Sequence, residues 1–448
     1  MILKRKIYQD LLKWKDENGQ TALLIEGARR VGKSTLIEEF AKNEYRSYIL
    51  IDFSIASPEI KSLFELYASN LDDFFFFLTS ITGITLYPRE SVIIFDEVQL
   101  YPLARQLIKH LVKDNRYDYI QTGSLLSIKS NIKDILIPSE ERSIKMYPLD
   151  FEEFCWAIGR NDLISIIKTH FNELKPLKQF HQTVMKFFRQ YILVGGMPQA
   201  IVEFIKTNDY TKVDRVKRDI LNLYRNDIAK FAQGYEYKVL SIFDEIPSQL
   251  SKHEKKFKLT SLEKGARFRE YEEAFIWLDE AMITNVCFNS TDPSIGLSLY
   301  KDRLTLKMYM GDTGLLISHA FNGDKILHQK VAKAIINDRL EFNNGMIFEN
   351  IVAQMFRANN KKLYFYSRSN PNDSQETMEI DFLIIDESNP VKISPIEVKS
   401  GKNYTISSMN KFSRKFSRKL GKKYLIHAKD LKVEDNIIYL PVYMTMFL

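Results

Sequence analysis

The chain has 448 residues, 45% hydrophobic and 12% aromatic, and a net charge of +7 from 64 Lys and Arg against 57 Asp and Glu. That length calls for two or three domains, and the apolar content fills sizeable cores, which excludes a disordered chain. The modest charge permits nucleic-acid binding without requiring it. The longest apolar runs, such as Phe74-Phe75-Phe76-Phe77-Leu78, are too short to span a bilayer. The N-terminus lacks the apolar stretch of a signal peptide. Two cysteines, Cys155 and Cys287, make neither a zinc cluster nor a disulfide framework. A cytoplasmic protein with no membrane partner is expected.

In chain order, the first strong signal is Ala22-Leu23-Leu24-Ile25, a buried parallel strand. It runs into Gly27-Ala28-Arg29-Arg30-Val31-Gly32-Lys33-Ser34, and then a helix opening at Thr35-Leu36-Ile37. The eight residues fit G-x-x-x-x-G-K-[ST], and strand–loop–helix is the setting that phosphate loop needs. Gly27 and Gly32 let successive backbone N–H groups turn toward a triphosphate, and the helix start adds its positive dipole end. Lys33 would reach the β- and γ-phosphates and Ser34 would hold Mg²⁺. Residues 27–35 are therefore the candidate nucleotide-binding set, with Arg29 and Arg30 required only for their backbone.

A second strand, Tyr48-Ile49-Leu50-Ile51-Asp52-Phe53, is followed by a third, Val92-Ile93-Ile94-Phe95, which ends in Asp96-Glu97. Asp96 at the strand edge would hold the Mg²⁺ water shell, and Glu97 would orient and polarise the attacking water. The strand inserted between the two motifs and the paired Glu point to ATP hydrolysis rather than to a nucleotide kinase or small GTPase. A fourth strand, Tyr117-Asp118-Tyr119-Ile120-Gln121-Thr122, leads to Gly123-Ser124. Thr122 or Ser124 would sit between the motif-bearing strands and sense the γ-phosphate.

These stretches, together with Arg142-Ser143-Ile144-Lys145-Met146-Tyr147-Pro148-Leu149-Asp150-Phe151, resemble the AAA superfamily of ATPases. In that family an Arg precedes a Tyr-Pro-Leu-Ser-Phe-like segment, and here Asp150 stands where Ser is usual. The resemblance implies an ATP- and Mg²⁺-dependent ATPase. It makes Arg142 a candidate contact to the γ-phosphate, in cis or from a neighbouring subunit of a homo-oligomer.

From about 163 to 231 apolar residues recur at three- and four-residue spacing, interrupted by Gly195-Gly196-Met197-Pro198. This suits the helical lid of AAA proteins, where Gly-Gly-Met-Pro recurs. Residues 236–300 suggest a winged helix: a helix capped near Thr260 or Ser261, a second through Tyr271 to Leu278, then the strand-like Met282-Ile283-Thr284-Asn285-Val286-Cys287-Phe288. Such a unit often reads DNA through its second helix.

Near the C-terminus, a strand at Leu363-Tyr364-Phe365-Tyr366 precedes two more that carry Glu379-Ile380-Asp381 and Glu397-Val398-Lys399. Glu397 and Lys399 share a strand face, and Asp381 on the neighbouring strand is expected to point to the same place. This set resembles the PD-(D/E)xK, or restriction-endonuclease-like, nucleases. There Asp381 and Glu397 would bind Mg²⁺ with Glu349 as an additional acid, and Lys399 would position or deprotonate a water attacking a phosphodiester. Behind it Met409, Phe412, Phe416 and Leu420 form an apolar helical stripe, and no acid occurs from 401 to 423.

The whole pattern is similar to bacterial and archaeal AAA ATPases with a C-terminal domain of no assigned function. The expected fold is α/β, with a P-loop NTPase core over 1–160, a helical lid over 161–232, a winged-helix-like unit over 233–310 and a nuclease-like domain over 311–448. The expected function is ATP hydrolysis coupled to a nucleic-acid-directed domain, DNA the first candidate. The alternative is an ATP-dependent switch whose nuclease-like domain binds protein or DNA without cutting.

Overall fold

The structure, a computed structural model, describes all residues except 124–138, 233, 253, 322–324, 338–343 and 402. The chain forms two compact units, Met1–Tyr147 and Pro148–Leu448. Ser124, one of the two candidate sensors, lies outside the described residues.

The first unit is built on a five-stranded sheet in the order β2-β3-β4-β1-β5, with every pairing parallel. The strands are β1 (Ala22–Gly27), β2 (Ser47–Asp52), β3 (Ser91–Asp96), β4 (Asp118–Gly123) and β5 (Glu141–Met146). Helices α1 (Tyr8–Lys15), α2 (Lys33–Glu44), α3 (Pro58–Leu66), α4 (Leu71–Thr82) and α5 (Pro102–Asp114) cover it. Both faces are buried, which explains why β1 and β3 read as near-continuous apolar runs. Leu23, Ile25, Val92 and Ile94 pack on α1 and α2 through Leu11, Trp14, Ile37 and Phe40. Their neighbours Ile93, Phe95 and Tyr119 face Phe64, Phe74, Leu78 and Ile108 on the other side.

The second unit opens with helices α6 (Phe151–Ala157), α7 (Asn161–Asn172), α8 (Gln179–Val194), α9 (Pro198–Thr207), α10 (Tyr210–Phe231), α11 (Glu236–Ser251) and α12 (Phe268–Glu280). Asp150 does the work expected of Ser. Its carboxylate accepts the Glu153 N–H at 2.9 Å while Glu153 accepts the Asp150 N–H, a capping box that starts α6. Next come β6 (Thr284–Ser290), β7 (Lys301–Met310), α13 (Thr313–Ala320), α14 (Lys325–Ile336), α15 (Asn344–Ala358), β8 (Leu363–Arg368), β9 (Met378–Ile385) and β10 (Ile393–Lys399). The unit ends with α16 (Ser407–Lys415), β11 (Lys423–His427), β12 (Lys432–Glu434) and β13 (Ile437–Pro441).

The hairpin read as the wing does not stand apart. β6 pairs antiparallel with β7 and parallel with β8, so both strands belong to one eight-stranded sheet, β12-β13-β11-β10-β9-β8-β6-β7. The expected divisions at 160, 232 and 310 do not separate compact units. A buried polar junction explains why the lid-like helices join that sheet. The Asp312 carboxylate accepts N–H groups from Gly196 (2.5 Å) and Leu315 (2.9 Å), and Gln354 of α15 donates to both Asp312 and Tyr191. Gly195 and Gly314 touch backbone to backbone: a Cβ on Gly314 would lie 2.6 Å from Gly195 Cα. The two glycine motifs meet because only hydrogen fits between them.

Candidate functional site

In the first unit, the sheet order brings the nucleotide motifs to one edge. β4 lies between β1 and β3, with Ile25 opposite Thr122 and Phe95 opposite Gln121. The loop therefore leaves β1 beside the ends of the strands that carry Thr122 and Asp96. Gly32 caps α2 with φ 99°, a left-handed conformation that favours glycine. A Cβ on Gly27 would meet Met146 O at 2.5 Å and Val31 Cγ1 at 3.1 Å, so the loop is tight against β5. Arg5 braces it, donating to Val31 O at 3.1 Å and to Tyr147 O at 2.6 Å.

Lys33 is buried within the loop, its ammonium donating to Gly27 O at 2.9 Å and Ala28 O at 3.2 Å. Ser34 and Thr35 follow in the first turn of α2, and Arg29 and Arg30 are exposed. The Thr122 hydroxyl makes a short bond to Asp96 Oδ1 and accepts the Glu97 N–H at 3.3 Å. One side chain thus ties both acids. Glu97 sits at φ 53°, and Gln99 Nε2 makes a short bond to its Oε2. A buried ammonium, a turn of backbone N–H groups, a hydroxyl at a helix start and a half-buried acid pair fit a nucleotide triphosphate with Mg²⁺. Burial raises the pKa of Glu26, one residue before the loop.

Arg142 is a correction. It is the second residue of β5, opposite Leu23, four residues before the level of Gly27. At a rise of ~3.3 Å per residue it starts about 13 Å from the loop end of the sheet. There it pairs with Glu17 at 2.5 Å, so the contact in cis is not made. Reading the residues missed Gln99 and Arg5. Gln99 follows the acid pair closely enough to have drawn attention; nothing local marks Arg5.

In the second unit, the expected site residues lie within electrostatic reach of one another: Asp381 acts on Glu397, and both Asp381 and Glu349 act on Lys399. Ile393 packs with Met409 and Phe412 of α16, and strand alternation puts Glu397 and Lys399 on that face. Lys399 Nζ lies 2.7 Å from Glu397 Oε2. Burial raises the Glu397 pKa and nearby Asp381 adds to it, opposed by Lys399 and the Met409 N–H.

Asp381 lies near Glu349 of α15 as well. The register of β8 with β9 shifts between Tyr364 and Tyr366, where β9 accommodates an extra residue. On its other side, Asp381 Oδ2 accepts the Val398 N–H of β10 at 2.8 Å. Lys307 is 1% exposed, with Nζ 2.7 Å from Glu379, 3.5 Å from Asp381 and 3.7 Å from Glu349. Burial alone would lower its pKa, but those three carboxylates outweigh it and raise it. Lys255 pairs with Glu349 at 2.5 Å and Tyr309 donates to Glu349 at 3.1 Å. Burial, then Asp381, raises the pKa of Glu349. Among the described residues no group of three or more His, Cys, Asp or Glu could hold a metal ion. In the expected set, Glu349 and Asp381 share Lys307 and Glu397 pairs with Lys399, so lysines interleave the acids. Lys307 was missed, although a lone charge within the otherwise uncharged stretch Leu304–Met310 was its signal.

Residues 19–155 match the family model described as an AAA domain. The first unit carries an AAA-type P-loop domain. Residues 185–325 and 344–444 match two models described as domains of unknown function, DUF8612 and DUF4143. An uncharacterized protein of Methanocaldococcus jannaschii is 23% identical over 98% of this chain and 88% of its own length. One from Haemophilus influenzae is 27% identical over 45% of each chain. Among solved structures, AMPPCP-bound DnaA from Aquifex aeolicus aligns with 62% of this chain and 90% of its own at 11% identity and TM-score 0.28. Drosophila ORC bound to DNA aligns with 73% and 95% at 13% identity and TM-score 0.29. At that level neither likeness bears on function. No helix among the described residues is long and apolar enough to cross a membrane.

Proposed function

We propose that the protein binds and hydrolyses ATP in its AAA-type domain, and that this cycle switches a C-terminal domain that binds a partner without cutting it. The observation that carries the first part is the Thr122 hydroxyl joining Asp96 to the Glu97 N–H beside the loop that buries Lys33. Backbone N–H groups of residues 27–35 and the Lys33 ammonium bind the β- and γ-phosphates. Ser34 and Asp96 hold Mg²⁺, which when bound supplies positive charge against the charge developing on the phosphates. Glu97, held by Gln99, orients the attacking water and takes its proton. Arg142 remains available to a neighbouring copy in a homo-oligomer, since its side chain is half exposed.

The second part rests on the lysines that neutralise these acids: Lys255 and Lys307 at Glu349, Lys307 at Glu379 and Asp381, and Lys399 at Glu397. Replacing Glu97→Gln should leave ATP binding intact and abolish turnover; unchanged turnover would remove Glu97 from this role. Mg²⁺-dependent cleavage of DNA or RNA by the wild-type protein, lost in Lys399→Ala, would restore the nuclease reading and overturn the non-cleaving one.

A further inference from the structure

The helix best placed to read DNA on a winged-helix view, α12, is poorly suited to phosphates: it carries one arginine, Arg269, against five carboxylates. A different element has the opposite character. Met409 and Phe412 of α16 are fully buried, and no acid occurs from 401 to 423, so the charges on the outer face of the helix and the turn after it are all basic.

Three of its lysines are engaged: Lys411 with the Ser374 carbonyl, Lys415 with Glu376 and Lys419 with Asp292. Arg414, Arg418 and Lys422 are exposed and have no carboxylate partner among the described residues. Arg414 is in the last turn of α16, and Arg418 lies in the short 3-10 turn Ser417–Lys419 that follows it. Asn410, Ser413 and Arg414 of the helix and Ser417 of that turn line an open groove. The Ser413 hydroxyl is buried in that groove without a hydrogen-bond partner. Guanidinium groups alternating with Ser and Asn donors are the chemistry that holds phosphodiester oxygens.

We propose that this face of α16, with Lys422 beyond it, is a docking surface for the phosphate backbone of a nucleic acid. The proposal names the partner left open by the non-cleaving reading above and rests on it. An anionic bilayer is the weaker match, because the apolar face that an interfacial helix would insert is already committed to the core around Ile393 and Leu425.

The test is fluorescence anisotropy of the full-length protein with a labelled DNA duplex and a labelled single-stranded oligonucleotide across a salt titration. Wild type should bind at least one, with affinity falling as salt rises. Arg414→Glu/Arg418→Glu should bind at least ~10-fold more weakly, and its salt slope should fall by about 2. ATP turnover and melting temperature should not change. Because charge reversal could disturb the helix, Arg414→Gln/Arg418→Gln serves as a milder variant with a loss in the same direction. No binding of either oligonucleotide by wild type, or unchanged binding by a folded variant, overturns the proposal. So does binding of phosphatidylserine vesicles, but of neither oligonucleotide, that depends on these arginines. Loss of turnover in Glu97→Gln with intact oligonucleotide binding keeps the ATPase test separate, and oligonucleotide cleavage in the same tubes would sink the non-cleaving reading alone.

Discussion

Replacing Gly314→Ala sets two effects against each other. Gly314 is the second residue of α13, where Ala is favoured over Gly by up to about 1 kcal/mol on helix propensity. Packing says the reverse. The added Cβ would lie 2.6 Å from both Gly195 Cα and N and 2.7 Å from Val194 O, all backbone atoms. Relief requires α8 and α13 to separate by roughly 1 Å, and overpacking of this kind costs about 1–3 kcal/mol. Separation also strains Lys217, whose ammonium spans Leu193 O and Gly314 O, and the Asp312 bond to Gly196. Weakening even one of these buried bonds adds about 1 kcal/mol or more. The expected net is a loss of about 2–4 kcal/mol from the second unit. Urea unfolding followed by tryptophan fluorescence reports it, since Trp156 and Trp277 lie in that unit and Trp14 in the other. Binding of a fluorescent ATP analogue to the first unit should persist. A midpoint that rises or stays level would refute the reasoning and leave helix propensity in control.

Two further outcomes follow from the buried charges of the second unit. Lys307→Met leaves Glu349, Glu379 and Asp381 without their shared ammonium and should cost about 3–5 kcal/mol; urea unfolding within ~1 kcal/mol of wild type would show that the acids have other compensation. Burial pushes His427 down from 6.5 to about 4, with Lys429, Lys432 and His181 acting the same way and the Asp430 carbonyl against. The unfolded chain therefore binds the proton first, so stability contributed above pH 6.5 is lost as pH falls toward about 4, by at most ~1.4 kcal/mol per pH unit. His427→Gln should flatten that acid limb in melting temperature against pH; an unaltered limb would place the sensitivity elsewhere.

The nucleotide edge was legible because its signals are local. Eight consecutive residues specify the loop, and four apolar residues running into Asp96-Glu97 specify the strand end. The strand between the two motifs in the chain, β2, lies at the sheet edge, while β4, which carries Thr122, lies between β1 and β3. Arg142 misled because a motif gives position in the chain but not which end of a strand faces the ligand; that depends on its register with Leu23. Gln99 was visible and unassigned, since its role appears only when the left-handed Glu97 turns back toward it.

The C-terminal constellation was less legible for a sharper reason. Alternation within one strand is simple: Glu397 and Lys399 share a face. Between strands it is not, because β9 carries one extra residue against β8 between Tyr364 and Tyr366. No composition signal marks that residue. Nor does the sequence show that Asp381 becomes a backbone acceptor for Val398 with Lys307 beside it. Lys307, in turn, comes from the hairpin assigned to a separate wing, so its place among Glu349, Glu379 and Asp381 follows only once β6 joins β8. An acid–lysine pair, an acid cluster neutralised by Lys307 and exposed arginines at and just beyond the end of α16 are the features on which the non-cleaving reading and the docking proposal both rest.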